Sequence, residues 1–239
     1  MTTKIRLDTY MHELGLVSSR SQAENLIRLG KVICDNQKAQ KPGQMVQPDA
    51  QVKIIDRQYV SRAAYKLDSA ANIFKLSFKN KVVLDVGSST GGFTDFALQH
   101  GAKKIIAVDV GTNQLHPTLR DNEHIILLEQ TDIRELKALP LVADMVVIDV
   151  SFISLRDVLP HIKTLVDNKC DIVAMLKPQF EAGSSAKHKG VIKNARMRRD
   201  ILQDFESWAR QYFMVVQKAD GAVEGAKGNL ERFYLLKVL

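Results

Sequence analysis

A chain of 239 residues that is 45% hydrophobic and 26% charged is long enough for one large domain and a small one, and too ordinary in composition for a fibrous or disordered protein. Its two cysteines, Cys34 and Cys170, lack metal-type spacing and sit beside apolar runs, which argues against a disulfide framework and against a metal site. Net charge is +7, and residues 1 to 64 hold ten Lys or Arg against six Asp or Glu, so the N-terminal part is the more basic per residue and suits a polyanion such as nucleic acid. The start is not signal-like, and apolar runs such as Met145 to Ile153 are short and broken by Asp149. The expectation is a cytoplasmic protein that does not insert in a membrane.

Residues 4 to 31 carry two helical patterns. Ile5, Leu7, Tyr10, Met11 and Leu14 share one face of the first, which Gly15 is placed to end. The second begins near Ser19, with Gln22 three residues on as a capping box, continues through Ala23, Leu26 and Ile27, and stops at Gly30. Arg20 and Arg28 lie off that apolar stripe and Lys31 follows, so one side of the hairpin faces solvent or phosphates. Val32 and Ile33 precede a turn at Asp35-Asn36, and Val52, Lys53 and Ile54 alternate as a strand. Residues 56 to 61 lack Pro and Gly and read as a short ordered joint. A helical pattern starts at Arg62, and within it Lys66, taken singly, reads as a solvated charge.

From Val82 to Leu98 a β-branched run ends at Asp85, glycines follow at Gly87, Gly91 and Gly92, and helical spacing resumes at Phe93, Phe96 and Ala97. This is a strand, a tight turn and a helix, where bare backbone at a helix N-terminus can meet a small ligand. A dinucleotide fingerprint needs a second glycine where Ser89 stands. Gly87 to Gly91 also satisfies the Gly-x-Ser-x-Gly elbow of serine hydrolases, but that elbow normally follows several strands, and this is the first strong strand of its domain. The remaining class is S-adenosyl-L-methionine (SAM) methyltransferases, whose first motif resembles Asp85-x-Gly87-x-x-x-Gly91.

Strand and helix then alternate as in a doubly wound α/β sheet. Lys104 to Val108 ends in Asp109, about where a second strand delivers a carboxylate to a ribose diol. Ile125 to Leu128 leads to Asp132, placed to meet an adenine amino group. Met145 to Ile148 ends in Asp149, and Cys170 to Leu176 ends in Lys177 and Pro178. Residues 182 to 191 read as a mobile loop, Arg196 to Phe213 as a helix, and Arg232 to Leu236 as a final strand with Glu231 at its mouth.

Two resemblances join these pieces. Ile5-Arg6-Leu7-Asp8, Leu14 to Arg20, and Leu26-Ile27-Arg28-Leu29-Gly30-Lys31-Val32 resemble an S4 domain, which implies binding to structured RNA through Arg6, Arg20, Arg28 and Lys31, with Arg62 at the joint. Lys66, Asp149, Lys177 and Glu231 resemble the Lys-Asp-Lys-Glu tetrad of FtsJ-like RNA 2′-O-methyltransferases. With the S4 domain in front, the chain resembles the TlyA or haemolysin A family throughout. Its segments Val83 to Phe93, Ile148 to Leu155 and Gly228 to Glu231 add to the likeness, while Tyr59 stands where the Arg-x-Trp-Val linker of the family has Trp. The implied organisation is an S4 domain over residues 1–56, a linker over 57–60 and a Rossmann-like methyltransferase domain over 61–239. The implied SAM-binding residues are Asp85, Gly87, Ser88, Ser89, Gly91, Gly92, Phe93, Asp109, Asp132 and Asp149. The implied substrate is a cytidine 2′-hydroxyl in ribosomal RNA, and no metal is called for.

The tetrad suits that chemistry. Methyl transfer from a sulfonium to a ribose oxygen needs in-line positioning and a base for the hydroxyl proton. A lysine, with an ordinary pKa of roughly 10.4, is tuned downward by burial or a second ammonium and upward by a carboxylate. The resemblance gives Lys177 the proton, Lys66 and Asp149 the orienting of the ribose, and Glu231 the holding of Lys66 or the ribose. Other classes remain as alternatives: a non-catalytic ribosome-binding factor and a membrane-active haemolysin. An S4-containing pseudouridine synthase fits less well, because the second domain opens on a SAM-like glycine turn.

Overall fold

The computed structural model describes residues 4–17, 19–28, 30–55, 59–182, 191–192, 194–221 and 229–239. Most of the expected 182–191 loop, Asp56, Arg57 and Gln58 of the joint, and the segment before Asn229 lie outside them. The chain divides into two compact units, Met1–Arg62 and Ala63–Leu239.

In the first unit β1 (Ile5–Arg6) leads into α1 (Leu7–Glu13) and α2 (Arg20–Arg28). Leu7, Met11, Ala23, Leu26 and Ile27 are buried along the hairpin seam, as their spacing requires. Ile5 belongs to a strand rather than to the first helix, and Leu14 is exposed, because the helix closes at Glu13 and Gly15 follows at φ +68. Next come β2 (Val32–Cys34), β3 (Gln37–Lys38), β4 (Met45–Val46) and β5 (Val52–Ile54). Asp35 and Asn36 both take positive φ, the geometry of a two-residue hairpin turn, so β2 pairs with β3 and, on its other side, with β5. The partner of β1 is β4, a pairing too short to be read from alternation.

The second unit runs α3 (Ala63–Phe74), β6 (Val82–Val86), α4 (Gly92–Gln99), β7 (Lys104–Val108), α5 (Pro117–Arg120), β8 (Ile125–Leu128), β9 (Met145–Ile148), α6 (Leu155–Leu165), β10 (Asp171–Leu176), α7 (Pro178–Glu181), α8 (Ala195–Ala209), β11 (Phe213–Asp220) and β12 (Arg232–Val238). The strands form one sheet in the order β11-β12-β10-β9-β6-β7-β8, parallel from β10 to β8, with β12 antiparallel to both of its neighbours. The central strands are buried on both faces, which is why they read as unbroken apolar runs. β7 and β8 step outward from β6 on one side, and β10 from β9 on the other. The topological switch therefore falls between β6 and β9, where open α/β sheets bind ligands beyond the carboxyl ends of their strands. The expected helix from Arg196 to Phe213 is corrected: it closes at Ala209, and Phe213–Asp220 is an edge strand. The β-branched pair Val215-Val216 marked that change of period, with Met214 and Val216 exposed along the edge.

Candidate active site

Register places three charged residues on one rim. Ala174 of β10 lies opposite Ile148 of β9, and Leu176 opposite Arg232 of β12. The next residues along each strand path, Asp149, Lys177 and Glu231, therefore leave the sheet at the same end. α3 supplies the fourth. Lys66 is only 5% exposed and Glu231 3%, and Lys66 Nζ donates to Glu231 Oε2 at 2.5 Å. Burial overturns the reading of Lys66 as a solvated charge. Lys177 Nζ lies 2.6 Å from Asp149 Oδ1 and donates to Ser151 Oγ at 2.7 Å. Asp149 Oδ1 is itself buried and meets the ammonium as a close ion contact rather than as an aligned hydrogen-bond acceptor. The four residues thus form two lysine–carboxylate pairs. The strand mouth bearing Glu231 is fixed by its backbone: Gly221 N donates to Glu231 O at 2.9 Å, and Arg198 Nε to Leu230 O at 3.1 Å.

The glycine turn sits against this rim. Gly87 has φ +81, and a Cβ there would lie 2.7 Å from the backbone oxygen of Asp149, so the close approach of β6 and β9 requires glycine. Ser89 N donates to Asp109 Oδ2 at 2.8 Å, and Gly111 N to Asp109 Oδ1 at 2.7 Å, which ties the first two strand ends together. A cavity of about 470 Å³ opens here, lined among others by Gly87, Ser89, Asp109, Asp132, Asp149 and Phe152. Its size falls in the range of small-molecule sites.

Other residues of the turn act from behind that wall. Asp85, Ser88, Gly91, Gly92 and Phe93 are buried and do not line the cavity. Asp85 Oδ2 accepts from Thr94 Oγ1 at 2.6 Å, anchoring the first turn of α4, while its buried Oδ1 has no hydrogen-bond partner among the described residues. Burial pushes this carboxyl up to about 7. Gly91, at φ +89, packs under Leu115 and Leu119, where a Cβ would meet their side chains. Asp132 lines the cavity, but its carboxylate caps the short turn Ile133–Glu135 and accepts from Arg134 N, Nε and Nη2. Those bonds leave it little capacity for an adenine amino group, and Arg134 holds it below the usual carboxylate range.

Two residues without an assigned part in the sequence reading stand at the site. Ser151 is the hydroxyl partner of Lys177. Phe152 takes φ +67, an outlier for a bulky aromatic, and is 91% exposed on the cavity lip with its ring 5.2 Å from that of Phe180. A positive φ at phenylalanine has no signature in residue type, so only the structure reveals it.

In the first unit, Asp8 is fully buried and accepts from Arg6 Nε at 3.0 Å, Arg6 Nη2 at 2.6 Å and Arg20 Nη2 at 3.4 Å. The Arg6 guanidinium holds its carboxyl down at about 2. Arg6 and Arg20 are about half exposed, so each is shared between a fold-stabilising pair and the surface. Arg28 is exposed at the end of α2, and Lys31 and Arg62 are half-buried. Among the described residues there is no group of three or more His, Cys, Asp or Glu that could hold a metal, and no helix long and apolar enough to cross a membrane.

Comparison with known proteins matches this arrangement. The family model for FtsJ-like methyltransferase covers residues 59–238, and that for the S4 domain covers residues 5–52. The 16S/23S rRNA (cytidine-2′-O)-methyltransferase TlyA of Mycobacterium tuberculosis is 36% identical, over 99% of this chain and 91% of the relative. The 23S rRNA (cytidine-2′-O)-methyltransferase TlyA of Campylobacter jejuni is 41% identical, over 76% of this chain and 72% of the relative. Among solved structures, a Streptococcus thermophilus protein provisionally named a hemolysin superposes with a TM-score of 0.73 at 34% identity, over all of this chain and 90% of that one.

Proposed function

Because the chain belongs to the FtsJ-like methyltransferase family, we propose that it transfers a methyl group from SAM to the ribose 2′-hydroxyl of a cytidine in ribosomal RNA, in the cytoplasm. The observation that carries this reading is the pair of lysine–carboxylate contacts, Lys66 with Glu231 and Lys177 with Asp149, on the rim beside the switch-point cavity. The names of the M. tuberculosis and C. jejuni relatives share 23S RNA, which makes the large subunit the expected substrate. The residues present fit SAM. Gly87 lets β6 pack closely on the Asp149 backbone and so shapes the cavity wall, and the carboxylate of Asp109, held by two backbone amides, offers its free lone pairs to a ribose diol. Bound there, SAM supplies an electrophilic methyl on a sulfonium.

This chain's residues do the rest. Once it has given its own proton to solvent, Lys177 as the neutral amine takes the 2′-hydroxyl proton as the oxygen becomes nucleophilic, with Asp149 and Ser151 fixing its Nζ in place. Lys66, held by Glu231, orients the ribose. Phe152 offers an exposed ring at the lip on which a nucleobase stacks. RNA is gathered by the N-terminal unit, through Arg28 and Lys31 with Arg6, Arg20 and Arg62 contributing, in contacts that position more than they read sequence. The test is transfer of labelled methyl from SAM to separated ribosomal subunits and to naked RNA, followed by location of the modified nucleotide. Label at a 2′-O-methylcytidine is expected, and the subunit carrying it gives the range. Lys177→Ala should lower transfer by about a hundredfold or more with SAM affinity intact. Unchanged transfer would defeat the assignment of the base.

A further inference from the structure

The loops after β9 and β10 each carry part of the site. The first holds Asp149, Ser151 and Phe152 before the start of α6, and the second holds Lys177 before α7. They meet at Lys177 with Asp149 and Ser151, and again where Phe152 approaches Phe180. A third junction uses a buried carboxylate to which the reaction gives no part. Glu181, the last residue of α7, has a side chain only 2% exposed. Its Oε2 accepts from Ser154 Oγ at 2.6 Å and its Oε1 from Leu155 N at 2.7 Å. Ser154 is the N-cap of α6, and its Oγ accepts from Arg156 N at 3.0 Å while donating its own proton to Glu181. Leu155 N is an unpaired donor of the first turn, which Glu181 satisfies. Arg156 Nε stands 3.7 Å from the same carboxylate and reaches α8 through Asp204.

Geometry explains what the junction holds. Glu181 lies four residues after Lys177, within the single turn of α7, where Phe180 N donates to Lys177 O at 2.9 Å. Ser154 lies two residues after Phe152, whose positive φ needs its flanks held. A bond from Glu181 to Ser154 and Leu155 therefore spans the two loops just behind the residues that face the cavity.

Resting on the methyl-transfer reading above, we propose that Glu181 is a positioning residue: its buried carboxylate ties the start of α6 to the turn carrying Lys177 and so sets Ser151 and Phe152 relative to the Lys177 amine. Burial pushes the Glu181 carboxyl up, so a charge kept there costs stability.

The experiment compares the full chain with Glu181→Ala and Glu181→Gln. Amide exchange over residues 150–158 is read without RNA, and KM for ribosomal RNA, kcat and SAM affinity are read with it. In Glu181→Ala the 150–158 amides should exchange about tenfold faster or more, with β6 and β7 unchanged. Its KM for RNA should rise and its kcat fall by about tenfold, while SAM affinity stays within about twofold. Glu181→Gln keeps an acceptor for Leu155 N and should recover most of both losses. Unchanged exchange over residues 150–158 in Glu181→Ala would overturn the tie, whatever the activity. So would a parallel fall in melting temperature, SAM affinity and kcat, the mark of a general fold defect. Failure of the wild-type chain to methylate any ribose would defeat the parent reading instead, and exchange would still decide the tie.

Discussion

Asp85 makes stability depend on pH in a definite direction. Its folded carboxyl keeps a proton up to about pH 7, whereas in the unfolded chain it ionises near its ordinary 3.8. Over that window the folded state binds more protons, so this group lowers stability by about 1.4 kcal/mol per pH unit as pH rises from 4 to 7. Asp85→Asn should remove that slope and be at least as stable as wild type at pH 8, read as melting temperature against pH. Equal slopes in the two proteins would refute it. In the Lys66–Glu231 pair, removing the carboxylate costs stability instead. Glu231→Ala leaves a buried ammonium uncompensated, at a cost of about 3–5 kcal/mol. The double change Lys66→Met with Glu231→Leu should regain most of that stability in thermal melts and remain inactive, which separates the pair's part in folding from its part in catalysis. Residue types could not reveal this. Lys66 and Glu231 stand 165 positions apart, and each alone looks like surface charge.

On the two sides of α4, tolerance differs between glycines with nearly the same φ. Gly87→Ala combines φ +81 with a backbone oxygen 2.7 Å from the new Cβ, so the β6–β9 spacing itself must give. Gly101, at φ +83, has nothing nearer than 3.6 Å, so Gly101→Ala costs only local strain, of order 1–3 kcal/mol. Calorimetric titration with SAM should show affinity lost in Gly87→Ala, by about tenfold or more, and unchanged in Gly101→Ala. Elements were legible where one periodicity ruled: β6, β7, β9 and β10 were plain because doubly covered strands are continuous apolar runs. β11 was not, because an edge strand with one exposed face follows a helix with only a three-residue turn between them. The cavity wall was half legible. The glycine turn and the strand ends named ten residues by position, but strand pleat and burial decide which of them face a ligand, and they turn Asp85, Gly91 and Phe93 inward.

Across the whole molecule, charge is divided by task. The basic surplus of the first unit suits phosphates, which basic side chains bind by releasing counterions, whereas the cavity of the second is lined by three carboxylates. Removing Arg28 or Lys31 by alanine substitution should weaken RNA binding at low salt and reduce the slope of log affinity against log salt by about one each, with SAM affinity unchanged. Filter binding across a salt series checks it, and an unaltered slope would take these two residues out of the interface. Arg6→Ala should differ in kind. It strips Asp8, fully buried, of its principal partner, so its first symptom is a lower melting temperature. The helical hairpin was plain in the sequence, but the burial of Asp8 was not, since an aspartate one turn into an amphipathic helix looks like an ordinary polar position.

The placement of β12 also sets an order of events. Every other strand and helix precedes it in the chain, yet it lies between β10 and β11, and its mouth carries the partner of Lys66. A polypeptide emerging from synthesis thus presents a sheet with a vacant slot and a lysine without its counter-charge until the last strand threads in. Such distant pairing is slow, because the connecting loop must be closed before any contact rewards it. Catalytic competence therefore waits on β12, and a chain cut short before Asn229 would lack a site as surely as it lacked a strand.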